Sequence, residues 1–223
     1  TVVIGADRVA AARLAAEQGA EVVVCDDGLQ HLRLARDFEI AVIDGARGLG
    51  NRWLLPAGPL REPARELESV HAVLVTERGG EGRADFSVRS PMLLRAQFEL
   101  GDAVNLLTNE RRPLAGFVRV SNLHAIAGIG HPEAFFRGLV ERGLVVTTHA
   151  LPDHAPLDAG TLPFPADAIV LMTEKDAVKC RSIARPDWWW VDLEVSIVRA
   201  EAAALLTSVL ERTGLTGAGV SLG

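Results

Sequence analysis

The chain has 223 residues, 48% hydrophobic and 23% charged, the proportions of a soluble globular protein with room for one large domain or two small ones. A net charge of −6 argues against a nucleic-acid binder, which shows a basic footprint, and no stretch approaches the roughly 18 uninterrupted apolar residues of a transmembrane helix. Lys175 and Lys179 are the only lysines; every other basic residue is arginine. The two cysteines, Cys25 and Cys180, lie far apart and read as reduced interior side chains in a cytosolic setting. The chain opens on Thr1 in a strand-like run, without methionine or signal-peptide pattern, and is expected to be a fragment.

Residues 1–4 predict a short strand. Apolar residues at helical spacing predict a helix over Asp7–Gln18, with Gly19 at its C-terminal cap. A strand at 22–25 would complete a parallel crossover unit. Further strands are expected at 39–43 and 70–75. Between them, residues 44–66 are rich in Gly, Pro and Arg, a length of irregular chain that is usually functional or disordered. Residues 77–90 read as a mobile surface loop and 93–120 as a connecting hairpin. A second α/β unit follows. It has a strand at 123–127, a helix opened by Pro132 and closed by Gly143, strands at 144–148 and 168–173, and a short helix from Glu174. Residues 188–195 give a last strand, 199–211 a closing helix, and the tail beyond it is expected to fray. Trp188–Trp190 are expected to pack between the lobes.

The chemistry concentrates at Asp26 and Asp27. They end the β-branched run Val22–Cys25, and ligands of open α/β sheets sit just beyond the carboxyl ends of strands. Carboxylates at that edge suit Mg²⁺, as in a Walker B element; the alternative is a plain strand-end turn. Gln30 and His31 join the same side if Gly28 turns the chain back; a His31 bonded to backbone is the alternative. In the string PLREP, Arg61 offers a planar fork for phosphate and Glu62 a carboxylate for a metal or hydroxyl, or the two form a surface ion pair. His131 follows Gly128-Ile129-Gly130, whose backbone N–H groups can approach an anion. It is either a functional group of intermediate pKa or a helix cap. Glu174 and Asp176 are equally explained by capping and the helix dipole. His71 and His124 read as structural.

Four blocks carry a resemblance: DDGLQHLRLARDFEIAVIDG, GLGNRWLLPAGPLREP, AIAGIGHPEAFF and MTEKDAVKC. In this order they closely resemble the tetraacyldisaccharide 4'-kinases, the lipid A 4'-kinases of Gram-negative bacteria. The resemblance implies an α/β, P-loop-NTPase-like (RecA-like) core with a second, smaller α/β lobe. The division it suggests is 1–92 for the C-terminal part of the core, 93–120 for a hairpin linker, 121–191 for the second lobe and 192–223 for a closing segment. The implied reaction moves the γ-phosphoryl of ATP, with Mg²⁺, to the 4'-hydroxyl of a tetraacylated glucosamine disaccharide 1-phosphate, at the cytoplasmic face of the inner membrane. It implies catalytic roles for Asp26, Asp27, His31 and His131, metal binding by Asp26, Asp27 and Glu62, and nucleotide or substrate contacts from Gln30, Arg61, Glu62, Lys175 and Asp176. His131 would assist an acidic general base lying upstream of Thr1. Asp153-His154 also resemble a family loop.

One family feature is missing. No G-x-x-x-x-G-K-[ST] phosphate-binding loop occurs in the sequence, so the chain alone is expected to be inactive. The competing expectation is a degenerate, non-catalytic domain of the same fold that binds lipid or a partner. A dehydrogenase is disfavoured, because no G-x-G-x-x-G follows any strand.

Overall fold

The computed structural model describes residues 1–78, 89–152 and 163–215. The loop expected over 77–90, the Asp153-His154 pair and most of the tail lie largely or wholly outside them. The described residues form two compact units. One holds those of Thr1–Thr76, Arg83–Arg95 and Ile197–Gly223, the other those of Glu77–Gly82 and Ala96–Ser196.

In the first unit, helix α1 (Arg8–Glu17) starts at Asp7, whose Oδ1 accepts the N–H groups of Val9 and Ala10 at 3.0 and 3.1 Å. Those two bonds satisfy donors that the first helical turn leaves orphaned. They also hold the Asp7 carboxyl below its ordinary pKa, the Ala10 bond most of all. Gly19, at φ 88°, ends the helix in a conformation that costs glycine nothing. Strands β1 (Ile40–Asp44) and β2 (Ala72–Arg78) pair in parallel, Ile40 opposite Ala72 through Asp44 opposite Thr76. Ala41, Ile43, Val73 and Val75 form a core with Leu49 and Val70, and Leu29, Leu60 and Leu67 pack on it. Helix α4 (Arg199–Thr213) closes the unit at Gly214, φ 69°.

The strands expected at 1–4 and 22–25 do not form. Ile4 is 93% and Val24 92% exposed, and neither segment enters a ladder among the described residues. β-branched sequence makes a strand only where a neighbour takes its backbone groups and covers its side chains. The expected crossover unit is therefore absent there, and Cys25 is exposed rather than interior.

Strand β3 (Leu93–Asn105) passes into the second unit, where β4 (Arg111–Arg112) turns back on it antiparallel. Buried Asn105 shapes that turn: its Oδ1 accepts the N–H groups of Leu107 and Thr108, both at 3.0 Å. Beyond β3 come β8 (Trp188–Ile197), β7 (Ile169–Thr173), β5 (Leu123–Ala127) and β6 (Thr147–Ala150), in that spatial order. The β8–β7, β7–β5 and β5–β6 pairs are parallel, and helices α2 (Pro132–Glu141) and α3 (Glu174–Cys180) make crossovers. β5 is buried along its whole length, His124 included, as befits a central strand flanked by two parallel neighbours. Trp189 enters one core cluster with Phe117, Leu139 and Leu171, and Trp188 another with Ile126, Val170 and Met172. Both tryptophans therefore serve this unit's own interior rather than a lobe boundary. Strand β6 starts three residues later than expected, because Leu144 turns inward under α2 while Val145 stays 81% exposed.

Candidate active site

Two loops of the first unit converge through a single arginine. The first is the turn 26–31. Asp27 adopts φ 50°, a left-handed conformation that a short polar side chain tolerates. The His31 N–H donates to the Gly28 carbonyl at 3.0 Å. Arg36 fastens this turn from behind. Its Nη1 donates to the carbonyls of Gly28, Leu29 and His31 at 3.2, 3.2 and 3.3 Å, and its Nε meets Glu39 Oε1 at 2.6 Å. Arg36 is not among the residues that the motifs single out. The available signal was its spacing three residues before Glu39.

The second loop, 44–62, is built by its own polar groups. Asp44 Oδ1 accepts the Ala46 and Arg47 N–H groups, and Gly45 N–H donates to Thr76 O at 2.8 Å. A Cβ at Gly45 would stand 2.5 Å from that carbonyl, so only glycine lets the chain leave β1 this close to β2. Further on, Asn51 accepts the Trp53 N–H and donates to Ala57 O, while Leu55 N–H donates to Leu60 O at 2.8 Å. Leu60 packs on the β1–β2 core, as does Leu29 of the first loop. The two apolar anchors thus bring Arg61 and Asp27 to the same place.

There, Arg61 Nη1 lies 3.3 and 3.2 Å from Asp27 Oδ1 and Oδ2, and 3.3 Å from Gln30 Oε1. Three of the expected site residues, two from the first loop and one from the second, form one exposed cluster. Asp26, His31 and Glu62 are also exposed. The expected metal set fares differently. Among the described residues, no three His, Cys, Asp or Glu side chains gather as a metal site. Mg²⁺ demands less than such a cage, keeping several waters and taking one or two carboxylates plus phosphates. The exposed Asp26 and Asp27 fit that requirement.

In the second unit, the turn after β5 carries His131. It is the N-cap residue of α2, yet its side chain makes no capping bond; Pro132 starts the helix instead. His131 is exposed. Gly128 does not offer its N–H to an anion, because that group donates to Asp176 Oδ2 at 2.9 Å. Asp176 itself is fully buried. Its carboxylate also accepts the Thr173 hydroxyl at 2.7 Å and the Lys179 ammonium at 2.9 Å. Both Asp176 oxygens are thus engaged within the protein and sealed from solvent. Lys175 is exposed on the same helix.

The family model described as Tetraacyldisaccharide-1-P 4'-kinase matches residues 1–211. The chain belongs to this family. A tetraacyldisaccharide 4'-kinase of Pseudomonas aeruginosa (strain LESB58) is 48% identical over 182 residues, covering 81% of this chain and 52% of the relative. One from Thiobacillus denitrificans is 48% identical over 198 residues, covering 87% and 58%. LpxK from Aquifex aeolicus, whose crystal structure is in complex with ATP, superposes with a TM-score of 0.72 at 27% identity, over 93% of this chain and 62% of that one. The chain therefore spans about half the length of the curated tetraacyldisaccharide 4'-kinases it matches. The P-loop-NTPase-like α/β fold expected from the four sequence blocks is the fold of this family member. No helix among the described residues is long and apolar enough to cross a membrane.

Proposed function

We propose that the protein carrying this sequence transfers the γ-phosphoryl group of ATP to the 4'-hydroxyl of a tetraacyldisaccharide 1-phosphate, a step toward lipid A. The P–O bond to the β-phosphate breaks, a P–O bond to the sugar oxygen forms, ADP leaves, and the hydroxyl proton passes to a carboxylate base. Family membership supports the reaction class. The observation that carries the reading at residue level is the Arg61–Asp27–Gln30 cluster, which joins two loops of the first unit.

Each residue's role follows from its chemistry. Phosphoryl transfer needs little covalent work from the protein and much positioning and charge neutralisation. Mg²⁺, when bound, neutralises charge on the phosphate oxygens; Asp26 and Asp27 would hold it. Arg61 balances those carboxylates, and its remaining N–H groups can meet a phosphate in a fork. Gln30 fixes the arginine's orientation. Glu62 and His31 complete the polar surface toward the sugar. His131 assists proton removal from the 4'-hydroxyl, and its ring is not committed to capping α2. Lys175 supplies a cation for the nucleotide. The protein works in the cytoplasm, peripherally on the inner membrane, where its acylated substrate resides.

The test is transfer of labelled γ-phosphate to the purified disaccharide by the complete protein, with Asp26→Ala and Asp27→Ala in parallel. Strong loss of kcat in both with folding intact supports the reading. Normal turnover in both removes the metal-site assignment.

A further inference from the structure

We propose that Asp176 and Lys179 are positioning residues for His131, acting through the N–H of Gly128. The inference rests on the acid–base role given to His131 above, and extends it to two side chains that touch no substrate.

The sheet itself sets up the arrangement. β5 and β7 are parallel neighbours, with Ile126 opposite Met172, so both chains leave the sheet at the same edge. One continues as Gly128–His131, the other as Thr173 and the first turn of α3. Asp176 bridges them. It takes the Gly128 N–H from one side and the Thr173 hydroxyl from the other, while its own N–H donates to Thr173 Oγ1 at 3.3 Å. Lys179, one turn on, caps the second carboxylate oxygen at 2.9 Å.

A buried ion pair is weak evidence for stability, since apolar side chains of similar volume often serve a core as well. What this one does is fix geometry. A Cβ on Gly128 would lie 3.0 Å from Asp176 Oδ1 and 3.5 Å from Lys179 Nζ, so the absence of a side chain is what lets the carboxylate reach the turn. At Gly130, by contrast, a Cβ would meet nothing within 4 Å. The turn is therefore clamped at its first residue and open at its third, and His131 follows directly. With its ring making no cap bond, its placement depends on this backbone. Small displacements of a catalytic group can cost on the order of 10² in rate.

The experiment has two arms. In the complete protein, Asp176→Asn should lower kcat by about 10²-fold with KM for ATP and disaccharide unchanged. Lys179→Arg should retain most of the rate. In a His131→Ala background, Asp176→Asn should cause no further loss of kcat, because the path it acts through is gone. An equal loss in both backgrounds, or no loss in either, overturns the proposal. The second arm needs no activity: the amide resonances of Ile129, Gly130 and His131 should move in Asp176→Asn and in Gly128→Ala, which crowds the clamp without removing a charge. Gly128→Ala keeps the test decisive if Asp176→Asn does not fold. Unmoved amides in a folded variant overturn the clamp. A parent protein without transferase activity removes the functional reading alone, and the amide arm still decides the clamp.

Discussion

Arg61 and Asp27 stand 34 residues apart in the chain, yet one guanidinium nitrogen touches both oxygens of the carboxylate. Their side chains are 60% and 68% exposed, so the pair itself contributes little to folding, in the range of about 0–1 kcal/mol. On the proposed function, its value lies in orienting the two groups toward a ligand. Arg61→Ala should accordingly leave the thermal midpoint nearly unchanged while lowering kcat/KM markedly. Arg61→Lys should rescue poorly, because an ammonium is a point charge rather than a fork. Thermal melting and kinetics on one preparation check both statements.

His131 gives a second separation of activity from stability. Its ring makes no cap bond and Pro132 already starts α2. His131→Ala should keep its melting temperature and lose kcat by roughly 10²–10⁴, the usual range for acid–base assistance. A variant that melts early but turns over normally would make the histidine structural.

The two units differ in how much of them the sequence made legible. β5, β7 and the helix at Pro132 are long or punctuated signals, and they form where periodicity and turn residues put them. The candidate residues Asp27, Gln30 and Arg61 could be named from motif chemistry, but their contact depends on Leu29 and Leu60 sharing a core, which no local pattern reports. Strand formation at 22–25 was misread because β-branched composition says nothing about whether a pairing neighbour is present. The burial of Asp176 is not legible for a related reason: an acidic residue early in a helix looks like a capping or ligand group. Only the packing of β5 beside β7 shows the carboxylate to be sealed and turned onto Gly128.

The cysteines should behave oppositely. Burial pushes the Cys180 thiol up to about 11, with the Asp176 carboxylate adding to the effect and Lys179 opposing it. Cys25 is exposed. One thiol should react with an aromatic disulfide reagent in the native protein and two after denaturation. Mass mapping should place the first label on Cys25.

Stability should fall on mild acidification through a histidine pair. His124 Nδ1 lies 2.8 Å from His149 Nε2, and His124 Nε2 lies 3.0 Å from Asn122 Oδ1. Burial, aided by His124, lowers the His149 pKa below its ordinary 6.5. The unfolded chain then binds a proton that the folded chain does not, so this contribution is present above about pH 6.5 and is lost as pH falls toward the folded pKa. Melting temperatures between pH 7.5 and 5.5 should decline in the parent protein and less steeply in His149→Gln.

The most direct test of the account is single-turnover transfer of the γ-phosphate from Mg-ATP to tetraacyldisaccharide 1-phosphate by the complete protein, compared with Arg61→Ala and His131→Ala. The account predicts a 4'-phosphorylated product from the parent and a strongly slowed chemical step in both folded variants. A folded parent that forms no product, or variants that form it at the parental rate, would contradict it.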